Sequence, residues 1–359
     1  MPQPLIYLLR ARCAPLLALL PLALSGCADF GYIIRQAAGQ IEMLVNSEPI
    51  DEVLAGGRLT PEQERKLRLV VEVRDFAASE LGLNVGRSYR LYHEADGKPI
   101  AYNLSACRKD SLSPKQWRMP IVGTIDYLGY FAKADAEKAA AQLEAQGYDT
   151  FIYGVDAYST LGWLPDPVQS TFLNRADGNL VETVIHELAH NTIYVSGQSD
   201  FNESLATFIG RQGARLFLEQ RGPEGAAIAA DLQAQYADDE LVTDWVLKLN
   251  TDLRTYYASD LPSEAKIGGR EAVFQAARDA FTTEVAPKLQ LPERSAGWGR
   301  IPTNNAYVRL HQRYHVNLDA FAAALEAVNN DFRAFLDIVQ AAADTADPFA
   351  AIRAAAGSP

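Results

Sequence analysis

Two histidines four residues apart, with a glutamate directly after the first, set the chemistry of this chain: V-I-H-E-L-A-H, carrying His186, Glu187 and His190. On a helix, residues at i and i+4 stand one above the other on one face, so both imidazoles can turn a ring nitrogen towards one ion. Glu187, one position round the helix, can reach a water on that ion without being a ligand itself. H-E-x-x-H is the spacing of zinc hydrolases, in which the histidines hold Zn2+ and the glutamate is the general base. Val181, Val184, Ile185 and Leu188 form an apolar stripe at helical spacing, so the helix is predicted independently of the motif.

A catalytic zinc takes a third protein ligand and keeps one position open. Glu203 lies thirteen residues after His190, in Phe201-Asn202-Glu203-Ser204-Leu205-Ala206, which reads as the start of a second helix. Residues 195–200, with Gly197 among them, allow the chain to reverse and bring Glu203 back beside the histidines. Zinc held by His186, His190 and Glu203 lowers the pKa of water towards about 7 and polarises a carbonyl. Glu187 then takes the water's proton and hands it to the leaving amine. The oxyanion of the tetrahedral state needs a further donor, for which Tyr314 and Tyr158 are candidates. The presence of Glu187 argues against a purely structural metal site, which gains nothing from that carboxylate. His311 and His315 are also four apart, but no acid completes a second site and they read as a solvated helix face. His93 reads as structural and Cys107 as a small buried residue.

The elements that must position these groups follow from periodicity and punctuation. Residues 32–44 read as a helix, and Thr60-Pro61-Glu62-Gln63 opens another with a capping box, running to Leu81 before Gly82. Residues 87–93 and 100–106 alternate as strands joined across Asp96-Gly97, a hairpin signal. Residues 121–127, 134–146 and 150–155 read as strand, helix, strand, with Gly147 ending the helix. Beyond Gly210 the chain is nearly all helix: Leu241, Trp245, Leu249 and Leu253 make one buried stripe, and 271–285 is amphipathic. After a loop at Gly297-Trp298-Gly299, a last long helix is predicted over 305–328. The expected class is α+β, mainly helical, with a small sheet preceding the active-site helix. One domain over 27–345 is followed by an alanine-rich tail, 346–359, expected to fray.

The first 26 residues place Arg10 and Arg12 before an apolar run over 14–24, too short to span a bilayer, which needs about 20 residues. This is the pattern of a secretory signal, and it ends in Leu24-Ser25-Gly26-Cys27, similar to a bacterial lipobox. Cys27 is then the acylated anchor, and Cys107 the only free thiol of the exported chain, so no internal disulfide is expected. At over 330 residues and 48% apolar composition the mature chain can bury an ordinary core. Loss of the two leader arginines takes the formal charge from -12 to -14, which argues against nucleic acid or an anionic membrane surface as partner. No obligate protein partner is evident.

Several separated segments resemble, in order, a family of bacterial envelope lipoproteins predicted to be zinc aminopeptidases. They are Trp117-Arg118-Met119-Pro120-Ile121-Val122-Gly123, Gly129-Tyr130-Phe131, Ala157-Tyr158-Ser159-Thr160-Leu161-Gly162-Trp163, the stretches 186–190 and 201–208, and Asn304-Asn305-Ala306 leading to Tyr314. The resemblance implies a zincin-like metallopeptidase acting as an aminopeptidase on peptide substrates. Its best-known glutamate relatives have a third ligand further along the chain, followed four residues on by an aspartate; here that position is Thr207. The carboxylate behind the ligands must come from elsewhere, with Asn202 or Glu182 as the orienting partner. Zincins commonly pair a strand beside the active-site helix with the substrate backbone, a role for 150–155 and the residues after it. An aminopeptidase also anchors a free α-ammonium, for which Asp156 or Glu182 is placed. A zinc amidase or endopeptidase of cell-envelope peptides and a non-catalytic metal-binding lipoprotein are the other classes. By lipoprotein sorting habits, Ala28 after the cysteine suits the periplasmic face of the outer membrane.

Overall fold

Long helices dominate the molecule, with short strands gathered before the helix that carries His186. A computed structural model describes residues 30–95, 97–119, 123–155, 160–295, 297, 304–313 and 317–357. In chain order these form α1 (Phe30–Val45), β1 (Glu48–Pro49), α2 (Ile50–Ala55), α3 (Pro61–Ser79), β2 (Leu91–His93), β3 (Ala101–Arg108), β4 (Trp117–Met119), β5 (Gly123–Ile125), β6 (Tyr127–Tyr130), α4 (Lys133–Glu144), β7 (Tyr148–Val155) and β8 (Val168–Gln169). Then come α5 (Asp177–Thr192), α6 (Ser199–Glu219), α7 (Gly222–Tyr257), α8 (Ser263–Ala280), α9 (Pro292–Ser295), α10 (Asn305–Arg313), α11 (Leu318–Ala327), α12 (Phe332–Ala343) and α13 (Pro348–Ala355). The architecture is mainly helical with a small sheet, compatible with α+β.

Helix α3 starts as its sequence dictates. The Thr60 hydroxyl accepts from the Gln63 N–H, the Gln63 side chain accepts from the Thr60 N–H, and Pro61 fills the first position. The main core is helical: Leu67 and Val70 of α3, Leu180 and Ile185 of α5, Leu205 of α6, Phe321 of α11 and Phe335 of α12 are at most 1% exposed. Each such side chain contributes about 1.5–3 kcal/mol by leaving water.

The principal sheet has the order β6-β3-β7, with β3 antiparallel to both neighbours. Alternation assigns its faces. Leu104, Ala106 and Ile152 pack under Ala136, Ala140 and Leu143 of α4. On the opposite face Phe151 meets Tyr307 of α10 edge-on at 4.8 Å. Cys107, 0% exposed, is buried there, and burial pushes its thiol up to about 12, so it is an inert packing residue.

Three expectations are corrected. Residues 87–93 and 100–106 form no hairpin: β2 pairs with β1 and, in parallel, with β8, whereas β3 pairs with β6 and β7. Tyr89 and Tyr92 bury into the helical core while Leu104 and Ala106 bury under α4, so the two runs serve different cores. The expected long helix over 305–328 is two helices. Asn317 adopts left-handed backbone (φ 54°) at the start of α11, because α10 packs on β3 and α7 while α11 packs on α6. Residues 348–355 of the tail do not fray: Asp347 caps the Ala350 N–H at 2.9 Å, Phe349 packs at 5.2 Å from Phe201, and Ile352 is 0% exposed.

A buried ion pair ties the helices after α6 to the sheet. Arg270 of α8 donates to Asp149 of β7 at 2.6 and 2.9 Å, and the same carboxylate accepts the Asn305 N–H at 2.8 Å. Asn305, 0% exposed, also donates to the Arg108 carbonyl at 2.8 Å and to the Tyr257 hydroxyl at 3.0 Å. Arg270→Ala strands a buried carboxylate, and we expect it to destabilise the fold by about 3–5 kcal/mol in denaturant unfolding, with metal uptake by the folded protein preserved.

Candidate metal centre

Helix α5 is built to hold its ligand face still. Asp177 in its first turn complements the helix dipole and receives Arg65 of α3 at 2.7 and 2.8 Å, while Lys66 donates to the Arg175 carbonyl just before the helix. Leu180, Val181, Val184, Ile185 and Leu188 are 0% exposed, so the opposite face, bearing His186, Glu187 and His190, is the one left for chemistry. The chain returns through a turn clamped by Asn202, whose amide accepts the Val195 N–H and donates to the Val195 carbonyl, both at 2.8 Å. Asn202 therefore orients the connecting loop rather than a histidine, a correction to its expected role as one of two candidate orienting partners.

Helix α6 then runs beside α5 in very close contact. A Cβ on Gly210 would stand 3.1 Å from the Glu182 carbonyl oxygen and 3.2 Å from the Cβ of His186; one on Gly213 would stand 2.7 Å from Leu81 and 3.0 Å from Ile185. This approach carries Glu203, two turns before Gly210, onto the histidines. The Glu203 Oε2 lies 3.5 Å from Nε2 of His186 and 3.7 Å from Nε2 of His190, and the imidazoles are 4.9 Å apart at 86°.

These separations fit a shared cation. They exceed the roughly 2.7–2.9 Å of a charge-assisted hydrogen bond, and approach the ~3.3 Å edge of a tetrahedron with ligands at about 2.0–2.1 Å. All three donor atoms lie within 4.8 Å of one another, so the set could hold a metal ion. Charge agrees with geometry. Burial alone would lower His186, yet Glu203, Glu187 and Glu182 together raise it. Burial alone would raise Glu203, yet His190 and His186 hold it well below the usual carboxylate range. Three carboxylates around one imidazole are a surplus that a divalent cation offsets.

Glu187 is half-buried, and its carboxylate accepts no hydrogen bond from any other described residue; burial raises its pKa, opposed by His186 and His190. Glu182 lies behind His186, its Oε1 3.8 Å from Nε of Arg211, which in turn sits 4.5 Å above the Tyr236 ring. Asp156, Tyr158 and Tyr314 lie outside the described residues, as does Cys27.

Other groups at the site were not visible in the sequence. Tyr194, four residues after His190, is half-buried beside Glu203, and burial and that charge raise its hydroxyl. Tyr89, 3% exposed with left-handed backbone (φ 58°), has a buried hydroxyl without a hydrogen-bond partner among the described residues, within electrostatic reach of Glu187. Asp166, 3% exposed, accepts from the Ser88 hydroxyl at 3.0 Å and the Thr160 N–H at 3.2 Å, and burial pushes it up to about 6. Only the i+4 spacing of Tyr194 from His190 and of Asn191 from Glu187 offered a sequence signal.

Fold and site together bring His186, His190 and Glu203 into a helix-borne set that could hold a metal ion, with the Glu187 carboxylate beside it. A family model described as "Putative aminopeptidase" matches residues 31–350, and the chain belongs to that family. Membership supports a peptidase. No curated protein and no solved structure matches the chain.

Because Gly210 sets the spacing of α5 and α6 at His186, Gly210→Val should part the helices and weaken metal binding at least ~10-fold. Competition against a calibrated chelator measures this; unchanged affinity would show that the close contact does not position the ligands.

Proposed function

We propose that the protein is a zinc-dependent peptidase of zincin type, acting as an aminopeptidase. The observation that carries this reading is the unshared Glu187 carboxylate adjoining a ligand triad whose separations suit tetrahedral zinc. His186, His190 and Glu203 would hold the ion, which supplies Lewis acidity that ionises water near neutral pH and polarises the scissile carbonyl. Glu187 receives the proton of the attacking water and delivers it to the departing amine. It is suited to both tasks because no described side chain competes for its oxygens. Glu182 fixes the charge behind His186 through Arg211. The oxyanion donor is one of the tyrosines: Tyr158 and Tyr314 are the sequence candidates, and Tyr194 has its place beside Glu203 in its favour. Of the two acids placed by sequence to anchor the substrate's α-ammonium, Asp156 is favoured, because Glu182 is engaged by Arg211.

The exported chain is anchored through a lipid on Cys27, at the periplasmic face of the outer membrane. The support is the leader pattern ending in Leu24-Ser25-Gly26-Cys27.

Glu187→Gln should retain stoichiometric zinc and lose at least ~10²-fold in turnover, since an amide can neither accept nor return the proton. The companion measurement compares a short peptide with its N-acetylated twin. Acetylation should abolish cleavage of the first bond, whereas equal cleavage of both at internal bonds would make the enzyme an endopeptidase. For the anchor, Cys27→Ser should shift the protein out of the membrane fraction; correctly cut protein remaining there would refute lipidation.

A further inference from the structure

The backbone beside the general base contains a turn whose sequence is unfavourable for its shape. Leu161 and Gly162 both have positive φ, 57° and 74°, and the Trp163 N–H donates to the Thr160 carbonyl at 3.1 Å, the signature of a type I′ turn. Glycine adopts such backbone freely, but leucine does so at a cost of about 1 kcal/mol or more. The surroundings hold the turn in place. The Thr160 N–H donates to buried Asp166, the Thr160 hydroxyl brackets Leu164 through both its N–H and its carbonyl at 3.1 and 3.0 Å, and Arg87 reaches the Trp163 carbonyl at 3.4 Å.

The same network fixes the turn against the active-site helix. Asp166 accepts from Ser88, Ser88 accepts from Asn191 at 3.1 Å, and Gly162 is seated on the Asn191 side chain, where an added Cβ would meet it at 3.8 Å. Asn191 is four residues beyond Glu187, so their Cβ atoms are neighbours on one face at about 5–6 Å. The turn therefore packs against α5 one helical turn beyond Glu187.

What it presents there is apolar. Trp163 is 66% exposed and Leu164 39%, adjacent in sequence, while most large side chains of the molecule are buried. A single exposed apolar residue needs no explanation. An indole displayed by a strained turn, which is clamped by a buried carboxylate and seated on Asn191 one helical turn from the base, is a positioned surface.

We propose that Trp163, flanked by Leu164, is the specificity platform of the cleft, receiving a large apolar or aromatic side chain of the substrate residue next to the scissile bond. This rests on the metallopeptidase reading. The indole is held by the turn before substrate arrives, so an apolar side chain gains burial without first ordering the wall, and a glycine or charged residue gains little. Catalysis itself does not use Trp163, so its loss falls on affinity rather than on turnover.

The test measures equilibrium binding of phenylalanine hydroxamate and glycine hydroxamate to the zinc-loaded full chain and to Trp163→Ala and Trp163→Phe. The wild type should favour the phenylalanine compound by roughly 10-fold or more. Trp163→Ala should bring the two affinities within about twofold by weakening the phenylalanine compound alone, and Trp163→Phe should keep most of the preference. With peptides, KM for phenylalanine substrates should rise in Trp163→Ala while kcat holds. A preference that survives in Trp163→Ala, or its absence from the wild type, overturns the platform and leaves the metallopeptidase reading intact. Failure of the wild type to bind either hydroxamate overturns that reading and the platform with it. Loss of binding to phosphatidylethanolamine–phosphatidylglycerol vesicles in Trp163→Ala, with the hydroxamate preference unchanged, reassigns the indole to a lipid surface and refutes the proposal.

Discussion

Glu203 reaches the two histidines because α5 and α6 pack with almost no side chain between them at Gly210. A metal triad is a strict geometric demand, since ligand atoms must stand about 3.3 Å apart. Two helices separated by ordinary side chains keep their axes 8–10 Å apart with the contact filled. Removing the Cβ at one contact lets the carbonyl of Glu182 and the Cβ of His186 come against the α6 backbone, and the carboxylate two turns earlier is delivered to the imidazoles. The apolar stripe of α5, the clamp by Asn202 and the docking of Phe201 and Phe208 on Phe321 all maintain this one contact.

Electrostatics gives the contact its chemical sense. Burying Glu182, Glu187 and Glu203 around His186 without compensation is costly. Arg211 offsets part of the charge at Glu182. The rest faces the triad, a set of donors that could hold a metal ion. The arrangement also divides labour among the acids: Glu203 is engaged by the histidines, Glu182 by Arg211, and Glu187 by no described hydrogen-bond donor.

The surroundings of the site are assembled from pieces far apart in the chain. Ser88, Thr160, Asp166 and Asn191 meet through a buried carboxylate and set the segment before α5 against its last turn. A second buried polar cluster, Asp149 with Arg270 and Asn305, joins the sheet to the later helices. Each such cluster is fully committed to specific donors, which favours one arrangement of the surrounding elements over alternatives of similar hydrophobic burial. In this way short strands with modest cores of their own are held in register with a large helical core.

Whatever depends on neighbours in sequence could be read from the sequence. The i, i+4 spacing of His186 and His190, the glutamate between them, the apolar stripe of α5 and the reciprocal cap of Thr60 and Gln63 are all local, because a helix places residues four apart together whatever surrounds it. Glu203 was within reach because only a short loop separates it from His190. Pairing and breaks were not legible. β2 and β3 alternate alike, and only their burial in different cores decides that they do not pair. The pattern over 305–328 continues through Asn317, although the partner changes from sheet to α6 and the helix must stop. The tail looked weak in isolation, and its helix is secured by Phe201 and Phe321, more than a hundred and almost thirty residues away respectively. Gly210 and the Ser88–Asp166–Asn191 network belong to the same class, with hydrogen-bonded partners 78 and 103 positions apart. Local spacing determined which residues could do chemistry; the close approach of surfaces, which no local pattern encodes, decided the distances between them and the walls around them.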